Sequence, residues 1–266
     1  MSIKFLASGA SFGSSVVRFV PPGTLPNGLV AWWWLGGLSG DSAAQAQART
    51  FQQMAPGSAY AMSPVGAPTI GTGFVTCKTN LNYLQTTVPD TASKTLLVIA
   101  RSSDTFAAQA NQPVLAAADT PDSTVGSNGP FLRFGAATAP DAKVTMGTVR
   151  LNGGSYSAAS SNAADIPAAT SFRLLIGTAD ASSGIVAVSN PTDGTSSQQT
   201  YSTGSNTYVA NATALYRLGA SQTAAFGGTF DIAAFAVWNR ALAAAEQSTL
   251  ANFVRGYMLN LRGIAC

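Results

Sequence analysis

From residue 28 onward the chain alternates short apolar runs with clusters of Gly, Pro, Asn, Asp and Ser. The runs that read as strands are LVAWWWL (29–35), GFVTC (73–77), TLLVIAR (95–101), PVLAAA (113–118) and FLRFG (131–135). They continue with KVTMGTV (143–149), SFRLLIGTA (171–179), GIVAVSN (184–190), ALYRLGA (214–220) and TFDIAAFAVWN (229–239). Their lengths and the turn chemistry between them predict an all-β sandwich or barrel, not alternating βαβ units. NPTDGTSS (190–197) carries Asn-Pro and Asp-Gly, as a hairpin loop does.

The period changes once, near the C-terminus, in RALAAAEQSTLANFVRGYML. Leu242, Leu250, Phe253, Val254, Tyr257 and Leu261 recur mostly at three- and four-residue steps, which predicts a short amphipathic helix over about 241–258. Gly256 lies inside that pattern and weakens its last turn. The apolar stripe is expected to pack on the sheets.

Residues 1–27 follow neither period. Phe5, Phe12 and Phe19 stand seven residues apart among small residues, and the segment closes in PPGTLP. An extended N-terminal arm is expected, ended by Pro21 and Pro22 and docked on this domain or a neighbour. A heptad helix is the competing reading, disfavoured by the Ser and Gly content. The expected organisation is therefore an arm, 1–27, and one sandwich domain, 28–266.

One stretch resists simple alternation. Trp32, Trp33 and Trp34 are consecutive, and neighbouring strand residues point to opposite faces, so the three indoles cannot share one core.

Composition then narrows the function. The chain holds 266 residues with no histidine, and Glu246 is its one glutamate. Without an imidazole, Ser–His–Asp and Cys–His catalysis and histidine-ligated zinc are excluded. A glycosidase needs two carboxylates flanking the scissile bond. The closest pair, Asp119 and Asp122 in AADTPDST, reads as a turn around Pro121. GTGF (71–74) lacks the Lys-Ser/Thr that completes a phosphate loop. The expectation is a non-enzyme.

Charged residues make up 9% of the chain, against roughly 25% in an average soluble protein. The net charge of +3 comes from scattered cations such as Lys4, Arg18, Arg49 and Lys78. Nucleic-acid binding is not expected, because a phosphate-tracking surface needs a positive stripe. No run reaches the 18 or so apolar residues of a membrane helix, and Ser and Gly interrupt any apolar core of a secretory signal near Met1. Cys77 and Cys266 are too few for a disulfide framework, and one bridge or two thiols both remain open.

GGTFDIAAFAVWNRALAAAEQSTL (227–250) closely resembles the closing motif of laminin-G-like, concanavalin A-type jelly-roll domains. The resemblance rests on Gly228, Phe230, Asp231, Ile232, Val237, Trp238, Asn239, Arg240, Ala241, Leu242 and Glu246. NGLVAWWWLGG (27–37) looks like the family's first strand, YRLGA (216–220) like the strand before the motif, and SKTLLVIAR (93–101) like another. The matches span about residues 28–258, loosely in the middle. Two departures stand out: Ala233 where the family often has an acidic residue, and Ala243 where it often has a capping serine. Half of a capping box is thereby lost.

The resemblance implies a two-sheet antiparallel jelly-roll sandwich with a binding or structural role. Family calcium sites use rim aspartates, asparagines and carbonyls; Asp104, Asp119, Asp122 and Asn128 could contribute, but no acidic cluster specifies a site. The alignment also gives the tryptophan run a parity: Leu29, Ala31, Trp33 and Leu35 inward, Val30, Trp32 and Trp34 outward. Bare outer indoles would form an interaction patch. Cover by the arm, the C-terminal segment or a neighbouring subunit is expected, with sugar stacking as the alternative.

The functional expectation is a non-enzymatic virion structural protein of a bacteriophage, a tail-fibre, baseplate or capsid-surface component. It would make homo-oligomer or other virion contacts through its arm and sandwich, and could touch host glycan. A carbohydrate-binding adhesion module is the alternative, and a polysaccharide-degrading enzyme a remote one. Candidate partner or glycan contacts are Trp32, Trp34, Phe5, Phe12 and Phe19.

Overall fold

The computed structural model describes residues 21–118, 129–136, 142–152, 155–162, 166, 169–201, 206–208, 210, 214–221 and 224–266. Phe5, Phe12 and Phe19 lie outside the described residues, as do Asp119, Asp122 and Asn128.

In chain order the first strands are β1 (Leu29–Trp34), β2 (Met62–Val65), β3 (Thr69–Ile70), β4 (Val75–Lys78), β5 (Tyr83–Pro89) and β6 (Lys94–Arg101). Next come β7 (Val114–Ala117), β8 (Phe131–Ala136), β9 (Ala142–Asn152), β10 (Ser155–Asn162) and β11 (Arg173–Asp180). The last are β12 (Ile185–Asn190), β13 (Thr195–Thr200), β14 (Asn206–Tyr208), β15 (Leu215–Leu218) and β16 (Thr229–Trp238). Helix α1 (Ala43–Thr50) follows β1, and α2 (Ala244–Arg262) follows β16.

The strands form two antiparallel sheets. The first runs β13-β12-β11-β6-β16-β4-β3 with β1 joined to β16; the second runs β10-β9-β8-β7-β15-β5-β2 with β14 on β9. Between them lies a core that includes Trp33, Leu96, Val98, Phe134, Met146, Tyr216 and Phe235. All the runs read as strands from the sequence are strands. The expected two-sheet sandwich is the fold.

A third layer sits outside the first sheet. Helix α2 lays Leu250, Val254 and Met258 on Trp32, Trp34, Leu97, Ile99, Ile176 and Trp238. The centre of the first sheet is thus buried on both faces, and this is why β6 is a continuous apolar run, TLLVIA, and not an alternating one. No helix of the described residues is long and apolar enough to cross a membrane.

The C-terminal helix is present where the pattern predicts it, but it starts three residues later and ends four residues beyond the expected 241–258. It begins at Ala244, because residues 240–243 form the turn out of β16, and it runs to Arg262. Gly256 does not stop it: an added Cβ there would meet open space, so the residue faces solvent. Its cost of about 1 kcal/mol is outweighed by the buried stripe on the other side. The stop is Gly263, left-handed at φ +66°, whose N–H returns to the Met258 carbonyl.

Bulges modify the expected parity. The register of β1 against β16 slips between Leu29 and Ala31. Val30 therefore packs against the inter-sheet core and Leu29 against the helix-covered layer, the reverse of the expectation for both. Ala31, Trp33 and Leu35 face inward and Trp32 and Trp34 outward, as the alternation predicts. A second slip lies between Ile232 and Ala234 on β16. Ala233 is the extra residue, and its carbonyl accepts from Leu35 N–H. Phe230 and Ile232 point inward before the bulge, Phe235 and Val237 after it, and Trp238 is left outward beside Trp32.

Helix α1 was not anticipated. Its signal was local: Ser42 Oγ accepts from Gln45 N–H and Gln45 Oε1 accepts from Ser42 N–H, a full capping box. The helix seats against Gly36 and Gly37 at the end of β1. Gly36 has φ +84°, and a Cβ there would sit 2.1 Å from the Phe74 nitrogen, so both its backbone angle and its close neighbour demand glycine.

Candidate functional site

The outer indoles are the first candidates to place. Trp32 is 0% and Trp34 3% exposed. Trp34 stacks on Tyr257 of α2 with centroids 4.2 Å apart and planes 10° from parallel. Trp32 meets Trp34 edge-on at 4.9 Å and Trp238 at 5.7 Å. Such pairs add to area burial. The expectation that Trp32 and Trp34 contact a partner or a glycan is corrected: their contact is internal, because the C-terminal helix covers them.

That helix is fixed at both ends. At its start, Arg240 donates to both carboxylate oxygens of Glu246 at 2.7 Å, and Glu246 also accepts from Thr24 Oγ1 and from Ala243 N–H. Arg240 donates to the Asn27 and Thr24 carbonyls as well. Residues 22–27, the end of the expected arm, are thereby held to the body, and Trp238 Nε1 donates to Leu25 O at 2.7 Å. The Arg240 guanidinium pulls the Glu246 carboxyl down to about 2. At the far end Arg262 donates to the Leu35 carbonyl, the residue after β1. Glu246 is thus a structural carboxylate.

The other motif aspartate is also engaged. Asp231 accepts from Arg101 Nε at 2.8 Å and Thr76 Oγ1 at 2.7 Å, on the two strands flanking β16. The Arg101 guanidinium lies over Phe172 at 4.6 Å and Phe74 at 5.1 Å. Asp104 accepts from Thr229 N–H. Among the described residues, no three Cys, Asp or Glu side chains gather as a metal site.

Both cysteines are free. Cys77 is in the inter-sheet core, where burial pushes its thiol up to about 12; Cys266 packs beside the helix layer, with its thiol raised to about 11. They lie on opposite faces of the first sheet.

One charged cluster sits inside the sandwich. Lys94 is the first residue of β6 and shares the inward parity of Leu96 and Val98. Its Nζ is 2.5 Å from Asp90 Oδ1, and the side chains are 0% and 1% exposed. Tyr216 of β15, from the opposite sheet, donates to the same Oδ1 at 3.1 Å. Burial lowers the Lys94 ammonium, opposed by Asp90, and raises the Tyr216 phenol, with Asp90 adding to the rise.

An open groove of about 640 Å³ lies where α2 leaves the edge of the first sheet uncovered, beside the β12–β13 hairpin. Its floor includes the small residues Ala187 and Ala251, and its walls carry Ser189, Ser196, Gln198, Gln247, Asn252 and Arg255. Ser189 Oγ lies 3.3 Å from Gln247 Oε1, and Gln247 Nε2 donates to Leu242 O. Arg255 donates to the Pro191 and Cys266 carbonyls and so ties helix, hairpin turn and C-terminal segment together. Among the described residues the lining contains hydroxyls, amides and one guanidinium, with no carboxylate.

This groove was missed in the sequence because its signal is polar. Strand β13, TSSQQT, has no apolar residue, and the pairing with β12 alone makes it a strand. The usable clue was the helix: Gln247, Ala251 and Arg255 recur every four residues along one flank of the apolar stripe.

No protein-family model and no curated protein sequence matches the chain. Among solved structures it is similar to the binding domain of botulinum neurotoxin DC in complex with SialylT, at TM-score 0.56 and 7% identity over 86% of this chain and 52% of that one. A botulinum neurotoxin type C structure that ties cell entry to two ganglioside molecules gives TM-score 0.55 and 8% identity, covering 87% and 52%. The neurotoxin DC binding domain in complex with rat synaptotagmin II gives TM-score 0.55 and 8% identity, covering 86% and 52%. The chain spans about half the length of these domains. At such identity the likeness concerns the fold: a β-sandwich.

Proposed function

We propose that this protein is a non-enzymatic recognition module that binds surface glycan in the groove between α2 and the β12–β13 hairpin. The observation that carries the reading is the lining itself. Serine hydroxyls and glutamine and asparagine amides offer donors and acceptors together, which suits sugar hydroxyls that do both. The same lining holds no carboxylate pair, so it offers binding without the acid and base of glycoside hydrolysis. The similar neurotoxin domains include one in complex with SialylT and one tied to gangliosides, which supports a glycan as the ligand class.

The particle setting is the finer part of the proposal: display on a bacteriophage virion, with the module repeated in a homo-oligomer. The low charge and the phenylalanine-bearing segment 1–20 support it.

The test is a glycan array with the full chain, followed by titration of any hit against Gln247→Ala and Asn252→Ala. Both side chains line the groove, Gln247 half-buried and Asn252 exposed, so the variants are expected to fold and to lose at least tenfold in affinity. Binding unchanged in both, or absent across the array, overturns the groove as a glycan site.

A further inference from the structure

The buried cluster Asp90–Lys94–Tyr216 belongs neither to the groove nor to the helix interface. An ammonium carries three donors, and among the described residues the side chain of Lys94 donates to Asp90 alone. Taking two charges out of water carries a large desolvation cost. Nothing polar on the groove side requires a charge pair at this point. The arrangement does fit something else: an amine nucleophile held against a carboxyl group in a water-poor core, with a phenol hydrogen-bonded to the carboxyl oxygen.

The geometry points to condensation of Lys94 with Asp90 into an intramolecular isopeptide bond. A proton passes from the ammonium to the carboxylate, giving amine and acid. The Nζ lone pair adds to Asp90 Cγ, and Tyr216, already donating to Oδ1, stabilises the negative charge that develops on that oxygen. The C–N bond forms, one Cγ–O bond breaks, and that oxygen leaves as water with two of the three ammonium protons. No oxidant, reductant or cofactor enters. In bulk water this balance favours the separate ions. Inside the sandwich it reverses, because two buried charges become one neutral amide and three donors become one.

The link joins residues four apart, across the connection from β5 to β6, so it closes a small ring and not a long loop. Its effect is local. It locks the crossing between the two sheets and removes the charge pair from the core. A module exposed to harsh surroundings gains resistance there.

The experiment is mass spectrometry of the purified full chain. An intact mass lower than the sequence mass by one water is expected. Lys94 acylated on Nζ is no longer a trypsin site, so the denatured digest should yield one peptide spanning residues 79–101, lighter by one water, with the cross-link assigned by fragmentation. Lys94→Arg keeps the cation but lacks the amine nucleophile, and its mass should match its sequence. Tyr216→Phe should show partial conversion. A wild-type chain of full sequence mass, cleaved normally after Lys94, overturns the proposal. So does loss of water with cleavage after Lys94 retained, which identifies a succinimide at Asp90 instead.

Discussion

Trp34 on β1 and Tyr257 on α2 are separated by 223 residues in sequence and lie face to face at 4.2 Å. This single stack explains why a strand with two outward indoles is not an exposed patch. The helix that carries Tyr257 also supplies Leu250, Val254 and Met258 to the same layer.

Trp34→Ala should therefore behave as a core truncation, with a loss of about 3–5 kcal/mol of stability. Chemical denaturation monitored by circular dichroism checks it. Glycan affinity of the folded fraction should not change, since Trp34 does not line the groove. A stable variant that has lost glycan binding would restore the indole to a contact role.

The Arg240–Glu246 pair makes stability depend on acid. Glu246 titrates near 2 when folded, below its ordinary value of 4.5. A lowered folded value means that the stabilisation is complete above about 4.5 and is lost as pH falls toward 2. The carboxylate is partly exposed, so the pair is worth about 1 kcal/mol. The stability gap between wild type and Glu246→Gln should shrink across that window, measured as melting temperature against pH.

Gly36→Ala should destabilise by more than about 1 kcal/mol, because its φ of +84° and the nearby Phe74 backbone both exclude a Cβ. Gly256→Ala, in the open face of α2, should raise stability by up to about 1 kcal/mol. Comparing the two melting curves separates a glycine that the fold needs from one that it tolerates.

The two thiols should differ in reactivity. Cys77 is buried with its thiol near 12, whereas Cys266 is only partly covered. In the native protein at neutral pH, alkylation should reach Cys266 first and slowly, and Cys77 only after denaturation. Peptide mapping of the labelled chain reads this directly.

Much of the fold was legible because strand periodicity and turn residues are local. The apolar runs, the hairpin turn at Asp193-Gly194 and the amphipathic helix all follow from residues close in sequence. Strand β13 was not legible, because its polar composition gives no pattern without a neighbouring strand, and β5 was passed over because Thr86 stands for an apolar residue in the alternation of Leu84, Thr86 and Val88. The inward and outward sides of β1 were read correctly from Ala31 on. They failed at Leu29 and Val30, where pairing with β16 inserts a bulge that no local propensity announces.

The sequence by itself determined a β-sandwich with one apolar-striped C-terminal helix, and chemistry that must proceed without histidine. Only the tertiary structure decided which surface stays open. Trp32 and Trp34 look like a contact site in sequence, yet burying their large apolar area beneath α2 is the stronger physical demand. The groove at the β12–β13 edge remains open because its serines, glutamines and asparagines gain little from burial and keep their hydrogen-bonding capacity at the surface.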